Sequence, residues 1–197
     1  MRIAPLSLVT VALLGAAPFL AAKTIPEVEV SAFAAPYLGH DFDNHVGGGF
    51  SAAASAKYEF EDGAYNEFMI AQLEGMYLHS EGTNSVGGPS HREKLDAGFG
   101  FLNVGVGGDF GDFSLTLLFG LGVGGGSLSG DTSSKDLALD TAFQVKPRVT
   151  WNFARNWGAF VEYRYLCTAS AFGDLFSSSD ARSLSMSAIG VGVVYNF

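Results

Sequence analysis

The stretch "LALDTAFQVKPRVTWNF", residues 137 to 153, decides the fold. Its odd positions carry Leu137, Leu139, Thr141, Phe143, Val145, Pro147, Val149, Trp151 and Phe153. Its even positions carry Ala138, Asp140, Ala142, Gln144, Lys146, Arg148, Thr150 and Asn152. Alternation at period two is that of a strand, so one face is apolar and every charge lies on the other. The run is longer than the usual soluble strand of about 5 to 6 residues, and longer than the roughly 9 to 11 that cross a bilayer. Its outer end is therefore expected to project beyond a membrane.

The alternation recurs in both directions. From Phe113, "FSLTLLFGLGVGG" sets Phe113, Leu115, Leu117, Phe119, Leu121 and Val123 against Ser114, Thr116, Leu118, Gly120, Gly122 and Gly124. From Gly158, Val161, Tyr163, Tyr165 and Cys167 oppose Phe160, Glu162 and Arg164, and from Phe50 the apolar Phe50, Ala52, Ala54 and Tyr58 oppose Ser51, Lys57 and Glu59. In the closing "SAIGVGVVYNF", Ile189, Val191, Val193, Tyr195 and Phe197 share one face. Two stretches are less clean. "YNEFMIAQLEGMYL" mixes its faces, and in "AGFGFLNVGVGG" the parity changes between Phe101 and Val104, which predicts a bulge.

This reading gives eight strands, over 27–38, 48–60, 65–78, 95–108, 113–126, 137–153, 158–168 and 183–197. Short connections (61–64, 109–112, 154–157) take turns with longer polar ones (39–47, 79–94, 127–136 and a stretch near 173–180), and Asp62-Gly63 is a hairpin signal in its own right.

Composition narrows the class. Charged residues are only 16% of the chain, against about a quarter in a typical soluble domain, while Gly numbers 26 and aromatics reach 13%. Residues 1–22 have the secretory leader layout, with Arg2, an apolar stretch around Leu6 to Leu20, and Ala21 and Ala22 before the expected cut; the mature domain is then 23–197. Formal charge is -9, and loss of Arg2 takes it to -10, which argues against nucleic acid and points to cationic partners. A single cysteine, Cys167, forms no intrachain disulfide and reads as an inert thiol.

Short turns at one end, long loops at the other and an even strand number describe an all-β fold, an eight-stranded antiparallel up-and-down transmembrane β-barrel. Hydrocarbon cannot hydrogen-bond to open strand edges, so a sheet that crosses it must close on itself. A soluble barrel would need to pack the Phe, Leu, Trp and Tyr of every strand inside while Gly120, Gly122, Gly124, Gly190 and Gly192 covered the outside. Turned the other way, glycines make room in a narrow lumen for long Arg, Lys and Glu side chains. Phe60, Tyr65, Phe110, Phe113, Trp151, Phe153, Trp157, Tyr195 and Phe197 gather beside the short turns or the chain end, as an interfacial girdle requires. Pro147 lies inside a strand of a barrel without edges, so a bulge or local break is expected there.

By parity the lumen holds Glu29, Lys57, Glu59, Glu74, Asp140, Lys146, Arg148, Glu162 and Arg164, five acids against four bases. Near-balance points to a paired network that plugs the interior; a water-filled path lined by the same groups is the alternative. The loop "HDFDNH" (40–45) has enough ligands for a divalent cation on paper but reads as a solvated loop. His79, Ser80 and Glu81 cannot make a hydrolytic triad by themselves, because neighbours on a strand point to opposite faces. Neither a catalytic residue nor a cofactor is indicated.

Through "FVEYRY" (160–165) and the closing "IGVGVVYNF", the chain resembles the eight-stranded OmpA-like and opacity-type outer-membrane barrels over essentially all of residues 23–197. The resemblance implies a bacterial outer-membrane location, contact with lipid bilayer and lipopolysaccharide, and a structural or surface-interaction role: envelope integrity, adhesion or host recognition at the loops. It also implies that Ile189, Val191, Val193, Tyr195 and Phe197 are the signal read by the barrel-assembly machinery. The peptidoglycan-binding domain of larger relatives is not expected after Phe197.

Overall fold

Every described regular element is a strand. The computed structural model describes residues 23–40, 45–60, 66–84, 91–130, 134–168 and 184–197, with backbone alone for His40, Asn84, His91 and residues 134–140. The strands are β1 (Lys23–His40), β2 (His45–Glu59), β3 (Glu67–Asn84), β4 (His91–Phe110), β5 (Phe113–Gly130), β6 (Ser134–Ala154), β7 (Trp157–Thr168) and β8 (Leu184–Asn196). They close as an antiparallel barrel in sequence order, β8 pairing back onto β1 from Glu27↔Asn196 to His40↔Leu184. The expected architecture is present, and closure leaves no edge to meet hydrocarbon.

Burial alternates residue by residue, most plainly in β5 and β7. Outward go Val28, Leu73, Leu102, Leu121, Val161 and Val191, all exposed. The exposed Phe110, Phe113, Trp151, Phe153, Trp157 and Phe197 ring the short-turn end, and Trp157, Tyr195 and Phe197 stack edge-on at 4.9 and 5.0 Å between centroids. The Phe110–Phe113 hairpin turns on Gly111, whose φ of 66° lies in the left-handed region that glycine occupies without strain. Asp62-Gly63, Tyr65, the leader and the core of "HDFDNH" lie outside the described residues, as does the 173–180 connection.

Several sequence expectations need correction. β4 has no bulge: its pairing runs unbroken from His91 to Gly108 with β3 and from Glu93 to Phe110 with β5. Phe99 and Phe101 point into the lumen in phase with Asn103, while Leu102 and Val104 point out; both faces of this strand are apolar, which mimics a parity change. The long connections are mostly strand, since β3 runs to Asn84 and β4 starts at His91, and β5 runs to Gly130 and β6 starts at Ser134. Leu128 within them, and Leu78 and Leu95 at their edges, point inward and are buried in one apolar cluster with Phe99 and Phe101.

Two of the three strand prolines, Pro147 and Pro36, act differently, while Pro26 pairs in register with Ala56. At Pro147 the ladder to β5 holds (Leu117↔Pro147), but pairing with β7 lapses between Val145↔Tyr165 and Arg148↔Glu162 without a change of register. The missing donor of the proline ring therefore falls on the β7 side, and the expected local break is there. Pro36, which sequence reading passed over, sits in a bulge of β1 between Ala35 and Leu38.

Lumen glycines lie directly across the ladder from bulky lumen residues: Gly120 from Asn103, Gly122 from Phe101, Gly124 from Phe99, Gly192 from Phe160 and Gly190 from Glu162. A Cβ at Gly122 or Gly124 would run into the facing phenylalanine ring. The room they make serves aromatic rings as much as charged side chains.

Candidate functional site

Midway along the barrel six charged side chains meet in the lumen, all buried: Glu29, Glu74, Glu162, Lys146, Arg148 and Arg164. Each reaches the lumen because its strand parity is that of the polar face. Arg148 on β6 crosses to β1 and grips Glu29 with both terminal nitrogens, at 2.5 and 2.8 Å, and donates to Glu162 at 2.7 Å. Arg164 on β7 bridges Glu162 and Glu74, at 2.7 Å each. Lys146 donates to Glu74 at 2.6 Å and to Gln72 at 3.1 Å. Asn103 and Gln144 donate to Glu74 as well, at 2.9 and 2.8 Å.

Three acids therefore face three bases in one connected network. In a low-dielectric interior such groups are tolerable when each charge is paired and most remaining donors and acceptors are bonded; of the six, Arg164 alone keeps a buried nitrogen, Nε, without a hydrogen-bond partner. Aromatic rings complete the lining: the Arg148 guanidinium lies 3.9 Å from the Phe160 centroid, and Arg164 lies 5.1 Å from that of Phe33.

Above the network, toward the loops, Phe33, Leu38, Met76, Leu78, Leu95, Phe99, Phe101, Leu166, Leu184 and Met186 form a single buried apolar cluster. Below it, toward the short turns, lies a polar cavity of about 630 Å³ lined in part by Glu27, Lys57, Glu59, Thr150 and Arg155. In this lower part Lys57 donates to Asp109 at 2.8 Å and lies over the Phe68 ring, and Glu59 lies 3.4 Å from Lys57 and 3.5 Å from Lys23.

Of the sequence-derived lumen residues, six thus sit in the central network, and Lys57 and Glu59 sit in the lower cavity. The side chain of Asp140 lies outside the described residues. Sequence reading missed Glu27, Gln72 and Asn103, and it placed Gln144 on the polar face without counting this uncharged residue in the lumen network. It also missed the apolar cluster, because apolar residues on both faces of β3 and β4 hide which face is inside. The C-terminal residues Ile189, Val191, Val193 and Phe197 are exposed on the outer surface, with Tyr195 half-buried between Trp157 and Phe197.

On the outer surface beyond the apolar belt, β3 and β4 carry a small ion ladder. His79 Nδ1 lies 2.8 Å from Asp96, Lys94 donates to Glu81 at 2.8 Å, and the Tyr77 hydroxyl bonds Asp96. The Tyr77 hydroxyl and His79 hold the Asp96 carboxyl below its ordinary range, and Lys94 does the same for Glu81. Ser80 points the other way, buried 3.3 Å from His45 Nδ1, so His79 and Ser80 lie on opposite sides of the wall.

Comparison with known proteins places this geometry. The family model described as "Outer membrane protein beta-barrel domain" matches residues 6–197. The solved structure of Ail, the attachment invasion locus protein of Yersinia pestis, is similar at a TM-score of 0.53 and 16% identity, covering 88% of this chain and 97% of that one. Neisserial surface protein A is similar at a TM-score of 0.53 and 15% identity, covering 89% and 99%. Ail in complex with the heparin analogue sucrose octasulfate matches at 0.52 and 16%, covering 89% and 99%. No match is found among curated proteins.

Proposed function

The chain belongs to the outer membrane protein β-barrel domain family, and from that premise we propose that it is a non-catalytic surface protein of the bacterial outer membrane. In this reading the barrel is a closed support whose loops contribute to envelope integrity, adhesion or host recognition. The observation that carries it is the lumen: a balanced network of six buried charges bridges β1, β3, β6 and β7, and an apolar cluster lies over it. Ions would have to break several buried charge pairs and then cross a dry layer, which disfavours conduction.

The same reading takes residues 1–22 as a cleaved leader and the outer leaflet lipopolysaccharide as the barrel's surroundings. Ile189, Val191, Val193, Tyr195 and Phe197 serve as the segment read by the assembly machinery. Ail is an attachment protein by name and has been crystallised with a polyanion. With the leader and its Arg2 removed the formal charge goes from -9 to -10, which suits a cationic partner instead. His79 faces carboxylates from both ring nitrogens, Asp96 at 2.8 Å and Glu81 at 3.6 Å, an arrangement suited to an ion ladder and not to activating a hydroxyl.

The test is conductance of the purified barrel in a planar bilayer, with folding confirmed first by heat-dependent gel mobility. Silence is expected from parent protein. Steady conductance that changes when Arg148 or Glu162 is neutralised would replace this reading with a narrow channel for small solutes.

A further inference from the structure

Two apolar grooves run along the outside of the barrel near its short-turn end and meet at one point. The first, about 680 Å³, passes from Phe110 across Leu117 and the broken ladder at Pro147 to Ile189. The second, about 670 Å³, passes from the same Phe110 to Met69 and Phe60. Both include Val106 and Gly108. Gly108 shares the outward parity of the exposed Val106 and Phe110, yet it is buried, a dent where neighbouring strands carry side chains.

Directly across the ladder from Gly108 stands Glu67, exposed and on the outward parity of β3. Asp112 is exposed in the adjoining turn. The one cation on either groove is Arg148, among the described residues, and it is held by Glu29 and Glu162.

We propose that these grooves form a site for one diacyl phospholipid of the periplasmic leaflet, a chain in each groove, with a headgroup ammonium at Glu67. The inference rests on the membrane-spanning reading that the family match establishes, not on the lumen being closed. Three features choose the occupant. The grooves lie within the lipid-facing belt, so hydrocarbon fills them. Their common point is at the short-turn end, which is periplasmic in barrels of this kind. The acidic mouth repels anionic heads and favours a zwitterionic lipid that carries an ammonium group.

The test is native mass spectrometry of the folded barrel, extracted from vesicles of equimolar phosphatidylethanolamine and phosphatidylglycerol. The expected result is one retained lipid, with phosphatidylethanolamine favoured about two- to fivefold, the range for one exposed charge pair. Glu67→Lys should reverse that preference, and Gly108→Leu, which fills the meeting point, should remove retention. Heat-dependent gel mobility checks folding. Equal retention of the two lipids by the parent, an unchanged preference in Glu67→Lys, or undiminished retention by folded Gly108→Leu would each overturn the proposal. If Gly108→Leu fails to fold, the Glu67→Lys preference alone decides.

Discussion

Replacing Glu74 by glutamine removes one charge from the centre of the lumen and keeps its shape. Glu74 accepts bonds from Lys146, Arg164, Asn103 and Gln144 between 2.6 and 2.9 Å. Arg164 keeps Glu162 at 2.7 Å after the change. Lys146 does not fare so well: Glu74 is its one carboxylate within salt-bridge distance among the described residues, and the lysine is fully buried. Removing one partner of a buried pair costs about 3 to 5 kcal/mol, because an uncompensated charge stays behind. Glu74→Gln should cost that much, a large share of a typical domain stability of roughly 5 to 15 kcal/mol. Adding Lys146→Met removes the stranded ammonium and should recover about 2 kcal/mol, a coupling within the range for contacting groups. Glu59→Gln is the control, since its pairs with Lys23 and Lys57 are partly exposed and should matter by no more than about 1 kcal/mol. The assay is equilibrium urea unfolding in lipid vesicles, followed by the fluorescence of Trp151 and Trp157. A loss below about 1 kcal/mol for Glu74→Gln, or a double variant no more stable than the single one, would refute the argument from buried pairing.

Val191→Arg places a charge on an exposed outward face and should cost about 2 to 4 kcal/mol if near the midplane, read as reduced yield of folded barrel in the outer membrane. Gly124→Ala drives a methyl into the Phe99 ring and should cost about 1 to 3 kcal/mol in the same unfolding assay, with Phe99→Ala relieving part of the clash. Asp96 is held below its ordinary value of 3.8 by Tyr77 and His79, so its contribution is present above that value and is lost as pH falls through the lower folded value. The stability difference between parent and Asp96→Asn should therefore hold at neutral pH and shrink in acid, measured by unfolding across pH.

The barrel was legible because a lipid-facing strand exposes one apolar face to hydrocarbon and one polar face to a narrow lumen. β6 states this outright, with Lys146 and Arg148 in phase and Val149 and Trp151 out of phase. β4 conceals it: Phe99 and Phe101 sit on the lumen side beside Asn103, and Leu102 and Val104 sit on the lipid side, so period two gives no preferred face. The true signal was the partner strand, where Gly122 and Gly124 oppose those rings, and register is not visible in a single strand. The strand extensions were hidden for a related reason. Beyond the lipid their outer faces are wet, so His79, Glu81 and Lys94 make a strand look like a loop. The charged residues of the network were readable one by one, but their pairing across the lumen depends on how the closed barrel superimposes β1 on β6 and β3 on β7.

In the proposed reading the lumen is a cup open toward the short turns and shut toward the loops by the apolar cluster. Single cysteines at Thr150, in the lower cavity, and at Met186, in the apolar cluster, test it directly in a background with Cys167 replaced by serine. A small membrane-impermeant thiol reagent is applied from each side in turn. The structure predicts that Thr150→Cys reacts only from the short-turn side and Met186→Cys from neither. Reaction of Met186→Cys from the loop side, or of Thr150→Cys from both sides, would show a continuous aqueous path and contradict it.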